Sequence, residues 1–421
     1  MNMNRTTTST AARLSPGRLN AAKATIRERL GRHRSAVLDL SAQLHSDPEV
    51  AFEEHRSAAR VAEALWDAGF ATTVGCYGLP TAVEAVYGRG SFRVLICAEY
   101  DALPQIGHAC GHNIIAASAV GAALALAAVA DELDLTVVLL GTPAEEEGGG
   151  KVLLLEAGAF AQADIAVMAH PTPGEDIDCS GTSSQGCSRF RVTFQGKASH
   201  AAAAPSEGVN ALNAATVAQV AIGLLRQQLP DGVRINALVE AGGSAINVIP
   251  EHTELVLEVR AMQAEVQNDT AHKVLRACEG AALATGCTWV VDQHSPAYLP
   301  GRQHEELLAL WNRNLTATGR TLVRPPSGGG GGSTDMGNVS QVMPAIHPVI
   351  AVLGARGMPH TAAFAEETSG PAADAAVMDA ALALAWTAAD AAADAPLRAA
   401  LRDARLARNS PAAESMSLAE S

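Results

Sequence analysis

Aromatic side chains are nearly absent from this chain: Phe, Trp and Tyr make up 4% of its 421 residues. Without ring anchors the core has to be packed from Leu, Val and Ala. Basic runs are missing as well. The net charge is −14 and no Lys/Arg patch stands out, which excludes binding to nucleic acid by phosphate neutralisation. Cysteine is sparse, scattered and odd in number, at seven (Cys76, Cys97, Cys110, Cys179, Cys187, Cys278, Cys287). That pattern offers no disulfide framework and points to a reducing compartment, so a cytoplasmic location is expected. The amino terminus lacks a charged start followed by an apolar stretch, so no secretory signal is expected. Ala-rich runs such as 116–130 are too short and too weakly apolar to span a bilayer.

What is present describes a globular protein, with 48% hydrophobic and 18% charged residues. The length exceeds what one core usually serves, so two domains are expected. Short Val/Ile/Leu-rich runs at 92–98, 135–140, 165–169 and 348–353 read as strands. Helical stretches such as 114–130 separate them, as in an α/β layer with a mixed, mostly parallel sheet. From about Gly186 to Ala297 the order changes to strand (188–194), helix (209–229), strands (234–240 and 254–260), helix (264–285) and strand (288–292). That βαββαβ order is the ferredoxin-like unit, read here as an inserted lid or dimerisation domain. The expected organisation is a catalytic domain at 16–185 and 298–395, the inserted domain at 186–297, and tails at 1–15 and 396–421. The Gly328–Gly332 run reads as a tight functional loop, because Ser333-Thr334-Asp335 follows it abruptly.

Open α/β sheets put ligands beyond the carboxyl ends of their strands. Each strand of the first type is followed by chemistry-bearing residues. Glu99, Asp101, His108, Cys110 and His112 follow the first, and Glu145-Glu146-Glu147 follow the second. His170 closes the third, and His360 comes after the last. Thiolate, imidazole and carboxylate together suit zinc, with manganese or cobalt as alternatives. The donors leave room for two ions, about 3.5–4 Å apart when they share a ligand. Cys110, between two His residues, is the best-placed bridge.

Several strings closely resemble the dinuclear aminoacylase-like metallopeptidases. They are Ala98-Glu-Tyr-Asp-Ala-Leu-Pro104, Gly107-His-Ala-Cys-Gly-His-Asn113, Gly141-Thr-Pro-Ala-Glu-Glu-Glu-Gly-Gly-Gly-Lys151, Gly332-Ser-Thr-Asp-Met-Gly-Asn-Val-Ser340 and His360-Thr361. The nearest branch holds aminobenzoyl-glutamate hydrolases and β-alanyl-lysine type dipeptidases. The likeness runs from about Ala36 to Asp390. It implies Cys110, His112, Glu146, His170 and His360 as metal ligands and Glu145 as the general base, taking a proton from water and passing it to the leaving amine. It also implies Asp101 as the carboxylate orienting a ligand imidazole. His200, in Gly196-Lys-Ala-Ser-His200, would steady the oxyanion, often across a dimer interface. Asn247 and Arg260 would anchor the substrate, Arg260 through a free carboxylate. Asn113 stands where many auxin-conjugate-type members have Asp; the Asn form is the one the dipeptidase-like branch shares.

Other candidates read as structural: the remaining six cysteines, His55 at a helix start, and His347 before Pro348. His108 reads as supporting the ligand pair from behind, with a role as third ligand as the alternative, and Asp335 either serves the site or holds its loop. The function implied is hydrolysis of an amide bond in a small substrate, a β-alanyl-lysine type dipeptide ahead of an aminobenzoyl-glutamate or N-acyl amino acid. A catalytically inactive, ligand-binding relative would lack Glu145 or a ligand, and a hydrolase using Cys110 as nucleophile would resist chelators. A homodimer through the lid is implied, with no nucleic acid or membrane partner.

Overall fold

The computed structural model describes residues 15–293, 295–325 and 332–410. The expected tail at 1–14, the glycines 328–331 and the terminal 411–421 lie outside the described residues. The strands come in three groups along the chain. First are β1 (Ala71–Val74), β2 (Val83–Tyr87), β3 (Phe92–Ala98), β4 (Leu135–Gly141), β5 (Ile165–Val167) and β6 (His170–Gly174). Then come β7 (Gly186–Gln195), β8 (Ser199–His200), β9 (Arg234–Ala241), β10 (Val248–Ile249), β11 (His252–Ala261) and β12 (Thr288–Asp292). The last are β13 (Ala345–Ile346) and β14 (Val349–Leu353).

The main sheet runs β1-β2-β4-β3-β5-β13. Its β4, β3, β5 and β13 are parallel, and β2 and β1 extend it antiparallel on one edge. A parallel sheet covered on both faces needs apolar residues in succession, and every residue of β4 is buried. The covering helices include His112–Ala127 and Pro371–Ala393, both nearly all buried on their sheet-side turns. Scarce aromatics are offset by close approach: a Cβ on Gly121 would come within 3.0 Å of Ala381 Cβ. Helix Pro371–Ala393 is long and apolar enough to cross a membrane by length and composition, yet most of it is buried within the protein. It reads as a core helix.

The inserted unit forms a four-stranded antiparallel sheet, β12-β7-β11-β9. Along β7, Phe190, Val192 and Phe194 face the helices Ala211–Leu225 and Ala264–Thr285, as do Leu255, Leu257 and Val259 of β11. These residues form a core separate from that of the main sheet. The alternate residues, among them Arg189, Glu258 and Arg260, stand on the opposite face.

Two expectations need correction. The strand at the 348–353 run exists as β14, but it pairs only with β6, in a two-stranded parallel ribbon outside the main sheet. Pro171 and Pro173 of β6 have no N–H to give a central ladder, which explains the separation. The four strand ends therefore do not all belong to one sheet. The segment from 396 is not a tail: Ala395–Arg408 is a helix, capped by the Asp394 side chain. Leu397 and Leu401 are buried, and Arg398 donates to Asp134 Oδ2 at 2.7 Å. An apolar stripe of two large residues was too short to show in the sequence pattern.

Candidate active site

β3 ends at Ala98, so Glu99 and Asp101 emerge at the carboxyl end of the sheet. The loop returns through Gly111, whose φ is 78° and whose Cβ would lie 2.4 Å from Pro171 Cγ. Only glycine fits there, and it sets Cys110 just before the helix that His112 begins. Two flanking residues, Ala144 and His360, hold φ of 58° and 66° without being glycine. Each strained backbone is tied down. The Ala144 N–H donates to Glu54 Oε1 at 2.8 Å, and the His360 N–H donates to the Ala109 carbonyl at 2.9 Å.

The donors converge at the end of β3 and β4. Cys110 Sγ lies 3.5 Å from His170 Nε2 and 3.6 Å from His360 Nε2. His360 Nε2 lies 3.4 Å from Glu146 Oε2. His112 Nε2 lies 3.7 Å from Glu146 Oε1 and 3.8 Å from Glu145 Oε2. Three three-donor groups result: Cys110–His112–His170 and Cys110–Glu146–His360, which share Cys110, and the buried Glu99–His112–Glu145. Donors arranged tetrahedrally about one divalent ion at ordinary bond lengths stand about 3.4–3.6 Å apart. The spacing therefore fits a metal.

The partnering of the buried atoms fits it too. The ring Nδ1 of His112 is engaged by the Asp101 carbonyl and Oδ1, at 2.9 and 3.0 Å, while Asp101 Oδ2 accepts the Glu146 N–H at 2.9 Å. That turns His112 Nε2 toward the other donors, and among the described residues it has no hydrogen-bond partner; nor has Glu146 Oε1. Burial disfavours the charge of His112, but Asp101 and Glu99 raise its pKa well above the usual imidazole range. The same field draws any cation to Nε2. Burial, with Glu99 and Glu146 added, raises the Glu145 carboxyl well above its ordinary value. Burial also pushes the Cys110 thiol up, so a thiolate there needs a positive partner.

Beneath the site lies a cluster the sequence did not reveal. Lys151, fully buried, donates from Nζ to Glu99 Oε1 at 2.5 Å and to Asp335 Oδ1 at 2.7 Å. Asp335 Oδ2 also accepts the Lys151 backbone N–H at 2.8 Å, which ties the segment after the glycine run to the helix Gly150–Glu156. Burial opposes the ammonium, but Asp335 and Glu99 hold the Lys151 pKa well above its ordinary value. Lys151→Met would take the ammonium from two buried carboxylates, leaving Asp335 the backbone N–H of residue 151 and Glu99 the His112 ring 3.4 Å away. The expected loss is about 3–5 kcal/mol of stability, read by denaturant unfolding of the variant. One further residue escaped the sequence reading: Tyr298 donates its hydroxyl to the Glu145 carbonyl at 2.6 Å. His347, read as structural, packs edge-on against His170 with ring centroids 5.6 Å apart.

A cleft of about 670 Å³ opens over these residues and runs between the main sheet and the inserted unit. Cys110, Glu145, Glu146, His170, His360 and Arg260 line it, and His112 and Asp101 are buried behind them. His200 and Asn247 are not among its lining residues. They sit on the β8–β10 ribbon, where the Ala201 N–H donates to the Asn247 carbonyl and His200 is exposed. His108 is buried behind the ligand loop, and His55 is exposed at the start of a helix.

Residues 182–285 match the family model of a peptidase dimerisation domain. The chain is 37% identical over 379 residues to the Xaa-Arg dipeptidase of Mus musculus, covering 86% of this chain and 87% of the relative. It is 30% identical over 297 residues to a p-aminobenzoyl-glutamate hydrolase chain of Escherichia coli K12, covering 65% and 61%. Among solved structures it resembles a dinuclear metal-binding peptidase of the M20 family from Bacillus subtilis. The TM-score is 0.66 at 22% identity, over 86% of this chain and 98% of that one. Buried, cation-seeking donors at the end of a largely parallel sheet, under a peptidase dimerisation domain, agree with this kinship: the chain belongs to the M20 family of metal-dependent peptidases and amidohydrolases, and its chemistry is the hydrolysis of a dipeptide or small amide bond.

Proposed function

We propose that this enzyme is a zinc-dependent dipeptidase acting on small dipeptides of the β-alanyl-lysine type, with a basic carboxyl-terminal residue. The observation that carries the reading is the pair of three-donor groups sharing Cys110, directly beside the buried Glu145. Cys110, His112, Glu146, His170 and His360 would hold two ions, with Cys110 common to both. Thiolate, imidazole and carboxylate favour zinc, and manganese or cobalt are alternatives. When bound, the ions supply positive charge that acidifies a water and polarises the scissile carbonyl. Asp101 fixes the tautomer of His112 by engaging Nδ1. Glu145, whose carboxyl burial and the neighbouring Glu99 and Glu146 raise above its ordinary value, takes the proton from the attacking water and delivers it to the leaving amine. Arg260 puts positive charge on the lid side of the cleft for a substrate carboxylate. The basic substrate end is favoured by kinship to a relative named for Xaa-Arg dipeptides.

Dimerisation through the lid completes the proposal. Val217, Val220 and Leu224 form an exposed stripe on the helix Ala211–Leu225, with Leu224 73% exposed. β9 is an edge strand of the same unit, and its exposed Leu238 stands on the sheet face opposite the helices. The partner subunit's His200 would then reach the cleft that this chain's His200 does not line, to steady the oxyanion, with Asn247 as a further anchor. Leu224→Asp is expected to convert the dimer to monomer in light scattering after gel filtration, with activity falling in step. An unchanged monomer–dimer state would remove this part of the account. The cytoplasm is the proposed location, as the unpaired cysteines suggest.

The substrate is tested by amine release from the metal-loaded protein on β-alanyl-lysine, γ-aminobutyryl-lysine, aminobenzoyl-glutamate and acetyl amino acids. Turnover led by the basic dipeptides supports the reading. Turnover led by aminobenzoyl-glutamate, which a relative at 30% identity hydrolyses by name, would overturn the substrate while keeping the site.

A further inference from the structure

The chain enters the lid at Gly186, where β7 starts, and returns to the main domain through Tyr298, and the two crossings lie side by side. The Tyr298 N–H donates to the Cys187 carbonyl at 2.9 Å, and the Cys187 N–H donates to the Tyr298 carbonyl at 2.7 Å. That reciprocal pair adds one antiparallel rung to the start of β7. Gln267, buried on the lid helix Ala264–Thr285, donates from Nε2 to the Tyr298 carbonyl at 3.0 Å and to Ser188 Oγ at 2.8 Å. The fit is close: a Cβ on Gly186 would lie 1.8 Å from Gln267 Oε1. The peptide of Tyr298 is thus paired to the lid.

Its side chain goes the other way, into the main domain. The hydroxyl donates to the Glu145 carbonyl at 2.6 Å, and the ring lies under the turn that follows Glu145. A Cβ on Gly149, whose φ is 64°, would come 3.0 Å from Tyr298 Cε1. The flanking peptides of Tyr298 belong to the main domain as well. Asn338 Nδ2 donates to the Ala297 carbonyl at 3.0 Å, and the Leu299 N–H donates to Asn338 Oδ1 at 2.9 Å. With its flanks held by one domain and its own peptide paired to the other, Tyr298 turns when the lid turns. The rigid phenol then carries that turn to the Glu145 carbonyl. On its amino side the same turn is fixed, since the Ala144 N–H is bound by Glu54.

We propose that Tyr298 is a positioning residue that couples the lid to the general base: with the lid in this position, its hydroxyl sets the Glu145 peptide, and so the carboxyl, for proton transfer. The inference rests on the reading of Glu145 as the general base. Tyr298 acts through Glu145, so loss of its hydroxyl should appear in kcat rather than in KM or metal content.

Tyr298→Phe removes the hydroxyl alone. It is tested on the metal-loaded protein with β-alanyl-lysine, or with whichever amide of the panel above is hydrolysed fastest. Loss of one hydrogen bond to a buried carbonyl corresponds to a fall in kcat of about five- to thirtyfold. KM should stay within about twofold, and metal per chain should not change. A purely structural role is separated by a cycle with Glu145→Gln, in which Tyr298→Phe should leave the residual rate as it is. Gln267→Ala, which slackens the lid's hold on Tyr298 without touching the cleft, should also lower kcat and add nothing in the Tyr298→Phe background. A change in KM alone, a further rate loss in the Glu145→Gln background, or a Gln267→Ala effect that is absent or simply adds would each overturn the assignment. Full activity of Tyr298→Phe beside a disabled Glu145→Gln sinks this inference alone. Full activity of Glu145→Gln, or no turnover of any amide, sinks the parent reading with it.

Discussion

Glu145→Gln should lower kcat by about a hundred- to ten-thousandfold while leaving the metal content of the protein unchanged. The substitution keeps size and buried packing and removes only the ability to take a proton. Glu145 is buried, its backbone carbonyl is held by the Tyr298 hydroxyl, and its Oε2 lies 3.8 Å from His112 Nε2. A group so placed is positioned to exchange protons with a water beside the donors. Parallel measurement of single-turnover rates and metal per chain separates the two roles open to it. A fall in rate with full metal supports proton transfer. A fall in both would make Glu145 chiefly a ligand, and an unchanged rate would move the proton to another group.

The second large effect is expected from Cys110→Ala. Its Sγ lies within 3.6 Å of both His170 Nε2 and His360 Nε2, and it belongs to two of the three-donor groups. Removing it takes one donor from each. The variant should retain less metal after gel filtration and lose hydrolysis to background. It should also lose the metal-dependent part of its thermal stability, because a ligand bound only by the native state stabilises in proportion to the logarithm of its concentration over Kd. Cys278→Ala is the control. Cys278 is fully buried in the lid core, away from every donor, and its loss should leave metal content intact. Metal binding that survives Cys110→Ala would end the shared-ligand account.

The parts of this protein that were legible in the sequence share one physical trait: each is local. β3 and β4 are mostly apolar runs, each with a single polar residue (Arg93, Thr136), closed by polar residues, so their ends, and with them Glu99, His112 and Glu145, could be located by reading along the chain. The lid's βαββαβ order was legible for the same reason, and the helix 264–285 falls where the apolar spacing put it. What escaped was non-local. Lys151 meets partners 52 and 184 positions away, and no spacing rule links them. Arg189 and Glu258 are neighbours only through strand register, 69 positions apart. β6 was hidden by its prolines, which speak against a strand unless it lies outside the main sheet. The carboxyl-terminal helix shows too few large apolar residues to stand out, because its hold on the protein comes from Arg398 as much as from Leu397 and Leu401.

The central claim is that two metal ions, held through Cys110, make this chain a dipeptide hydrolase. The most direct test strips the protein with a chelator and titrates divalent metal back while following hydrolysis of β-alanyl-lysine. Activity should vanish on stripping and return to a plateau at two equivalents per chain. Hydrolysis that persists in the stripped protein, or that is complete at one equivalent, would contradict it.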